Sequence, residues 1–325
     1  MKNHQKLLLM FLLLLFVVLL ILEMQIVTSV QDIVERGALR EQDISALEEK
    51  ALQKDKPQTL DEFEMLVRSS PNSSFIWINY MAFLLDLADV EKARSVAERA
   101  LKTINIREEE EKLNVWVAYF NLENECGCPR EHAVNKIFQR AVQYCDPKKV
   151  YLALLGMYEI TEQHELADEL FERMTKRFKT SCKIWLRRIQ FSLKQGRDVQ
   201  YIKSIINRAL LSLPQSKRIK FLSQTAILEF KCGVPEEGRS IFELLLREYP
   251  KRTDLWSVYI DQEVRLGDTD VIRALFDRVT WLSLPPKKMK FLFKKYLAYE
   301  KSHGDRERME LVMQKATEYS KISQA

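Results

Sequence analysis

The sequence predicts an all-α protein, an α-α superhelix of about seven helix pairs, on three observations. Glycine and proline are scarce, 8 and 9 among 325 residues, where average usage would supply more than twice as many. An aromatic or leucine anchor returns every 33 to 39 residues, at Trp77, Trp116, Leu152, Trp185, Leu222, Trp256 and Phe293. A basic residue follows most anchors 21 to 24 positions later, at Arg99, Arg140, Arg173, Arg208, Arg278 and Lys315, with Leu244 the departure in the fifth copy. A chain this poor in glycine has little with which to build phosphate-cradling loops or all-β hairpins. It contains neither G-x-G-x-x-G nor a Gly-Lys dipeptide.

The elements follow in chain order. Residues 1–30 form an apolar leader: after Lys2 and Lys6 runs the unbroken stretch Leu7 to Leu22, closed by Glu23. It is signal-like in length and slightly short of the ~20 residues that span a bilayer. Residues 31–74, rich in Glu, Lys and Gln with a weaker helical pattern that ends at Pro71-Asn72, read as a linker and a capping helix. Residues 75–320 then carry the repeat. Within each first helix the anchor is followed at i+3 by Tyr80, Tyr119, Leu155, Arg188, Thr225, Tyr259 or Tyr296, which keeps these side chains near one helical face. The second helix carries a pattern like Ala-Arg-x-Ile-Phe-Glu-Arg-Ala, clearest at Ala93–Ala100, Ala167–Met174 and Ile272–Val279. Turn segments such as Gly127-Cys128-Pro129, Gln195-Gly196-Arg197, Leu266-Gly267-Asp268 and His303-Gly304-Asp305 separate the two helices. Asp146-Pro147, Leu213-Pro214, Tyr249-Pro250 and Pro285-Pro286 end one pair and begin the next, because proline cannot continue a helix. One pair cannot bury its apolar face alone, but stacked pairs form a continuous core.

Charge is distributed unevenly around a formal net of +5. Asp61 to Glu131 holds 14 acidic against 8 basic residues, whereas Arg173 to Lys220 holds 14 basic residues and the single acid Asp198. That block makes Lys176, Arg177, Lys179, Arg187, Arg188, Lys217, Arg218 and Lys220 candidate contacts for RNA or an acidic partner, with Lys287, Lys288 and Lys290 repeating the theme. The interleaved aromatics Phe291, Phe293 and Tyr296 are expected in the core, not as base-stacking platforms. Trp77, Trp116, Trp185, Trp256 and Phe293 are the structural anchors. Glu123, Glu159, Glu263 and Glu300 are expected to pair with Arg140, Arg173, Arg278 and Lys315 of the same helix pair.

Five cysteines without regular spacing read as free thiols of a reducing compartment, and Cys126-Gly127-Cys128 has no second pair to complete a zinc site. The four histidines, His4, His132, His164 and His303, are scattered, and no metalloprotease or nucleophile-elbow motif occurs. Catalysis, a metal and a cofactor are therefore not expected.

The tryptophan-aromatic first helix and Arg-x-x-Phe-Glu-Arg-Ala second helix resemble the half-a-tetratricopeptide (HAT, TPR-like) repeat family. Segments Leu66–Phe75, Ala97–Glu123, Arg247–Trp256 and Ser283–Tyr296 are most similar to the C-terminal HAT region of its ribosomal RNA processing branch, plant type, over about residues 43–320. The resemblance implies a non-catalytic scaffold of ribosome biogenesis in the nucleus and nucleolus, with processome-type proteins and pre-ribosomal RNA as partners. The alternative is a scaffold of mRNA splicing or 3′-end processing. A membrane partner, with endoplasmic reticulum localisation, enters only if Leu7 to Leu22 is genuine. That branch carries tandem S1 domains and an acidic linker ahead of its repeats, where this chain has the leader. The departure is expected to reflect a truncated product or a paralogue that lost its RNA-binding half, with the leader non-native.

Overall fold

A computed structural model describes residue 57 and residues 59–322. The leader Leu7 to Leu22 lies outside the described residues, and within them no helix is long and apolar enough to cross a membrane.

The described residues form fifteen α-helices: α1 (Leu60–Ser69), α2 (Ser74–Asp86), α3 (Val90–Thr103), α4 (Glu109–Cys126), α5 (Arg130–Tyr144), α6 (Pro147–Ile160), α7 (His164–Arg177), α8 (Cys182–Lys194), α9 (Val199–Ser212), α10 (Gln215–Cys232), α11 (Pro235–Glu248), α12 (Thr253–Leu266), α13 (Thr269–Thr280), α14 (Pro286–His303) and α15 (Arg306–Ile322). From α2 onward they read as seven pairs, each with a first helix (even number) and a second helix (odd number). The helix α1 precedes the first pair.

The boundaries follow local chemistry. Asp89, Asp198 and Asp268 accept the orphan amides of Lys92, Gln200 and Val271 at the starts of α3, α9 and α13. Pro147, Pro235 and Pro286 occupy the first helical turn of α6, α11 and α14, where the missing N–H costs nothing. Gly267, at φ 87°, ends α12 in the left-handed conformation.

First and second helices differ in what they bury. Helix α2 covers Trp77, Ile78, Tyr80, Met81, Leu84 and Leu85, apolar on several sides, whereas α3 buries only the stripe Ala93, Val96, Ala97 and Ala100. The reason is position: α4 packs against α2, α3 and α5 together, and α12 against α10, α11 and α13.

Two compact units divide the chain, one ending at Leu170 and one beginning at Phe171, within α7. The first centres on residues such as Trp77, Phe120 and Phe138, all essentially inaccessible to solvent. In the second, Phe242, Trp256, Phe276 and Tyr296 belong to one apolar cluster and Trp185, Ile205 and Phe221 to another.

Candidate functional surface

Two charge ladders set which side chains remain for a partner. In the first, the basic residue of a second helix reaches back to an acid of the second helix before it or, from the first pair, of α1. Arg99 Nη2 donates to Glu64 at 2.7 Å, and Arg140 to both oxygens of Glu98 at 2.6 and 2.8 Å. The second unit repeats this with Arg208 on Glu172, Arg278 on Glu243 and Lys315 on Asp277. Three of these acids also serve the first helix of the later pair: Tyr80, Tyr119 and Tyr296 donate their hydroxyls to Glu64, Glu98 and Asp277. The guanidinium groups of Arg99, Arg140 and Arg278 then lie over the indoles of Trp77, Trp116 and Trp256, 5.0 to 5.4 Å from the ring centroids. Asn207 and Leu244 stand at the acidic and basic positions of one absent rung, so both charges are missing together.

In the second ladder, Arg94 grips Glu123, Arg239 grips Glu263 and Arg273 grips Glu300, each through two bonds of 2.8 to 3.0 Å. Glu123, Glu263 and Glu300 are buried, so bidentate arginines are the partners that burial requires. The expected pairing of Glu123, Glu263 and Glu300 with Arg140, Arg278 and Lys315 is therefore corrected. Both charged positions bridge neighbouring pairs, and neither bridges the two helices of its own pair. A buried Glu229 holds the equivalent place in α10 and accepts from the Val234 amide at 3.3 Å, with no arginine bonded to it among the described residues.

The tryptophan anchors also tie the connections down. Nε1 of Trp77, Trp185 and Trp256 donates to the carbonyls of Pro71, Lys179 and Pro250, each six residues upstream, at 2.8 to 2.9 Å. Trp116 is equally buried, but its Nε1 has no acceptor among the described residues.

The structure sorts the basic candidates. Lys176, Lys179, Lys217 and Lys220 are exposed, as are Arg177, Lys287, Lys288 and Lys290. Arg187 and Arg218 are half-buried, and Arg218 Nε donates to the Leu213 carbonyl at 3.2 Å. Arg188 is not a surface residue: only 2% exposed, it donates to Glu172 and, at 3.3 Å, to Thr175 Oγ1. The reason is its register, three residues after Trp185, where other pairs place the tyrosine facing the ladder acid. With Arg208 first and Arg188 also bonded to it, the Glu172 carboxyl is held down at about 2.

The two basic blocks lie along the connections between pairs. Lys217 Nζ, at the start of α10, donates to the Thr180 carbonyl ahead of α8 at 3.2 Å, and Lys288 Nζ, at the start of α14, to the Lys251 carbonyl ahead of α12 at 3.4 Å. Of the second block's aromatics, Phe293 and Tyr296 are in the core as expected, but Phe291 is 51% exposed, a correction. Sequence reasoning passed over Trp281, in the connection between α13 and α14, which is 88% exposed. The five cysteines are free. Among the described residues, no group of three or more His, Cys, Asp or Glu is placed to hold a metal ion.

Comparison with known proteins agrees with this architecture. The family model described as "Pre-mRNA-splicing factor Syf1/CRNKL1 C-terminal HAT repeat" matches residues 66–324. The chain is 70% identical over 281 residues, 86% of its length, to the rRNA biogenesis protein RRP5 of Arabidopsis thaliana, and covers 14% of that protein. Identity is 46% over 280 residues to the human RRP5 homolog and 46% over 263 residues to rrp5 of Schizosaccharomyces pombe, covering 15% of each and 86% and 81% of this chain. The chain thus spans about one seventh of the length of these curated relatives. With its helix pairs, interlocking ladders and a family match over most of the sequence, the chain belongs to the HAT-repeat family.

Proposed function

We propose that this chain is a non-catalytic scaffold of ribosomal RNA processing and small-subunit ribosome biogenesis, working in the nucleus and nucleolus. The observation that carries the reading is the 70% identity over 281 residues to a plant protein named for rRNA biogenesis. In this reading residues 1–30 are a leader, 31–74 a linker and cap, and 75–320 the array. Within each compact unit, helix pairs joined by charge ladders hold processome-type protein partners, while the exposed lysines of the connections take pre-ribosomal RNA. Lys176, Arg177, Lys179, Lys217, Arg218, Lys220, Lys287, Lys288 and Lys290 are the contacts, with Arg187 beside them. Neutralising phosphates releases counterions, so affinity falls as salt rises.

A splicing scaffold is the second reading, favoured by the matching family's description as a pre-mRNA-splicing factor repeat and by 22% identity over 265 residues to the splicing factor CLF1 of Paracoccidioides brasiliensis. The far higher identity to the rRNA biogenesis proteins places it second. Depletion of the protein followed by RNA blotting tests the choice. Accumulated pre-ribosomal precursors support the scaffold of rRNA processing; retained introns with normal precursors support the alternative.

A further inference from the structure

Helix α13 ends at Thr280, two residues after its ladder residue Arg278, and the next residue, Trp281, is 88% exposed. Trp281 stands three positions after the ladder residue Arg278. The same register in the earlier pairs of this unit gives Lys176, Leu211 and Arg247, all exposed. It is therefore an outward position of the repeat, and the core does not claim its indole.

The connection is nonetheless rigidly held. Leu284 is buried and Leu282 packs against the core, while the Trp281 amide donates to Asp277 at 3.3 Å and the Leu282 amide to Val279 at 3.2 Å. Tyr319 adds a hydrogen bond from its hydroxyl to the Leu284 carbonyl. Apolar neighbours point inward and the largest side chain points outward, an arrangement that offers a preorganised flat surface.

Cations follow it in sequence. Lys287 and Lys288 open α14 just beyond the connection, and the bond from Lys288 to the Lys251 carbonyl sets the Lys251 loop beside the start of α14. On α14, Lys287, Phe291 and Lys294 fall at i, i+4 and i+7, one face of the helix, and all three are exposed.

We infer that Trp281 and Phe291 are base-stacking platforms for single-stranded RNA, with Lys251, Lys287, Lys288 and Lys294 holding its phosphates. Alternating aromatic rings and lysines match the alternation of base and phosphate in an unpaired strand. An acidic protein segment would use the lysines but gain nothing specific from two exposed ring faces. The inference rests on the RNA reading given above and names the form of RNA and the side chains that take it.

The test uses the full chain and a fluorescein-labelled oligouridylate, followed by anisotropy and by tryptophan emission. Trp77, Trp116, Trp185 and Trp256 are at most 2% exposed, so acrylamide-accessible emission reports Trp281. Oligouridylate is expected to quench that emission and shield it from acrylamide. Trp281→Ala should weaken binding roughly tenfold, within the range for loss of one stacked base, Phe291→Ala should weaken it less, and Trp281→Phe should retain most of it. Lys287→Glu with Lys288→Glu should weaken binding and flatten its salt dependence.

Unchanged affinity in Trp281→Ala and Phe291→Ala, with loss on lysine reversal, would overturn the stacking inference and leave the RNA reading in place. Polyglutamate competing as well as oligouridylate would also overturn it. Absence of any binding by the wild-type chain at low salt would overturn both.

Discussion

Arg140 on α5 donates two parallel hydrogen bonds, 2.6 and 2.8 Å long, to the Glu98 carboxylate on α3, joining the second helices of successive pairs. The same guanidinium lies 5.4 Å from the centroid of the Trp116 ring, and Tyr119 donates to the same carboxylate at 3.2 Å. One acid thus aligns three groups of the following pair. The Arg140 bonds, foremost, hold the Glu98 carboxyl below the usual carboxylate range, whereas burial, with the Glu98 charge nearby, pushes the Tyr119 hydroxyl up. A double-mutant cycle of Glu98→Gln and Arg140→Met is expected to give a coupling of about 1 kcal/mol, the upper range for a partly exposed pair, because the geometry is bidentate. Additive effects in urea unfolding would show that the rung contributes no coupling.

Trp256→Phe is expected to cost about 1 kcal/mol more than Trp116→Phe. Both lose similar apolar contact, but only Trp256 gives up a hydrogen bond, to the Pro250 carbonyl. Full truncation of either to alanine should cost on the order of 3 to 5 kcal/mol. Comparing chemical unfolding midpoints checks the order, and equal losses for the two phenylalanine variants would refute the role of the bond.

Two glycine substitutions should move stability in opposite directions. A Cβ at Gly304 would sit 2.1 Å from Glu300 Oε2, so Gly304→Ala must push that carboxylate off Arg273. A Cβ at Gly156 in α6 meets nothing within 4 Å, so Gly156→Ala should stabilise by about 0.5 to 1 kcal/mol through the unfolded state. Thermal melting of both variants decides, and a stabilised Gly304→Ala would contradict the placement of Glu300.

Glu229 supplies a pH test. Burial raises its pKa above the ordinary carboxylate value, and of the charges near it Lys203 opposes the shift while Glu237 adds to it. With the folded pKa above the unfolded one, ionisation penalises the folded state as pH rises through the folded value. Glu229→Gln can still accept from the Val234 amide. It is expected to raise the melting temperature at pH 7.5 and to change it little at pH 4. Equal effects at both values would exclude ionisation as the cause. Glu172 acts with the opposite sign: its contribution is complete above the unfolded value near 4.5 and is lost as pH falls toward about 2.

The helix pairs were legible in the sequence because anchor spacing, prolines and turn glycines all report local geometry. Helix α14 begins at Pro286 and α12 ends before Gly267, where the punctuation stands. Charge partners were harder to read, since one side chain at a given register faces several neighbours. The sequence pairs Arg140 with Glu123 of its own pair, whereas the side chain binds Glu98 of the pair before. Arg188 was misread as surface although its i+3 register already placed it on the inward face, because its block is so uniformly basic. Trp281 is obscured for the opposite reason: tryptophan is ordinarily a core residue, and the clue lies only in its register, three positions after Arg278, where the earlier pairs of its unit carry Lys176, Leu211 and Arg247.

Crosslinking of the full chain to RNA in living cells, followed by sequencing, tests the central claim most directly. The scaffold of rRNA processing predicts reads concentrated in pre-ribosomal RNA and depleted in a folded variant carrying Lys176→Glu, Lys217→Glu and Lys288→Glu. Reads concentrated in introns and spliceosomal RNAs, or a profile unmoved by the three reversals, would contradict it.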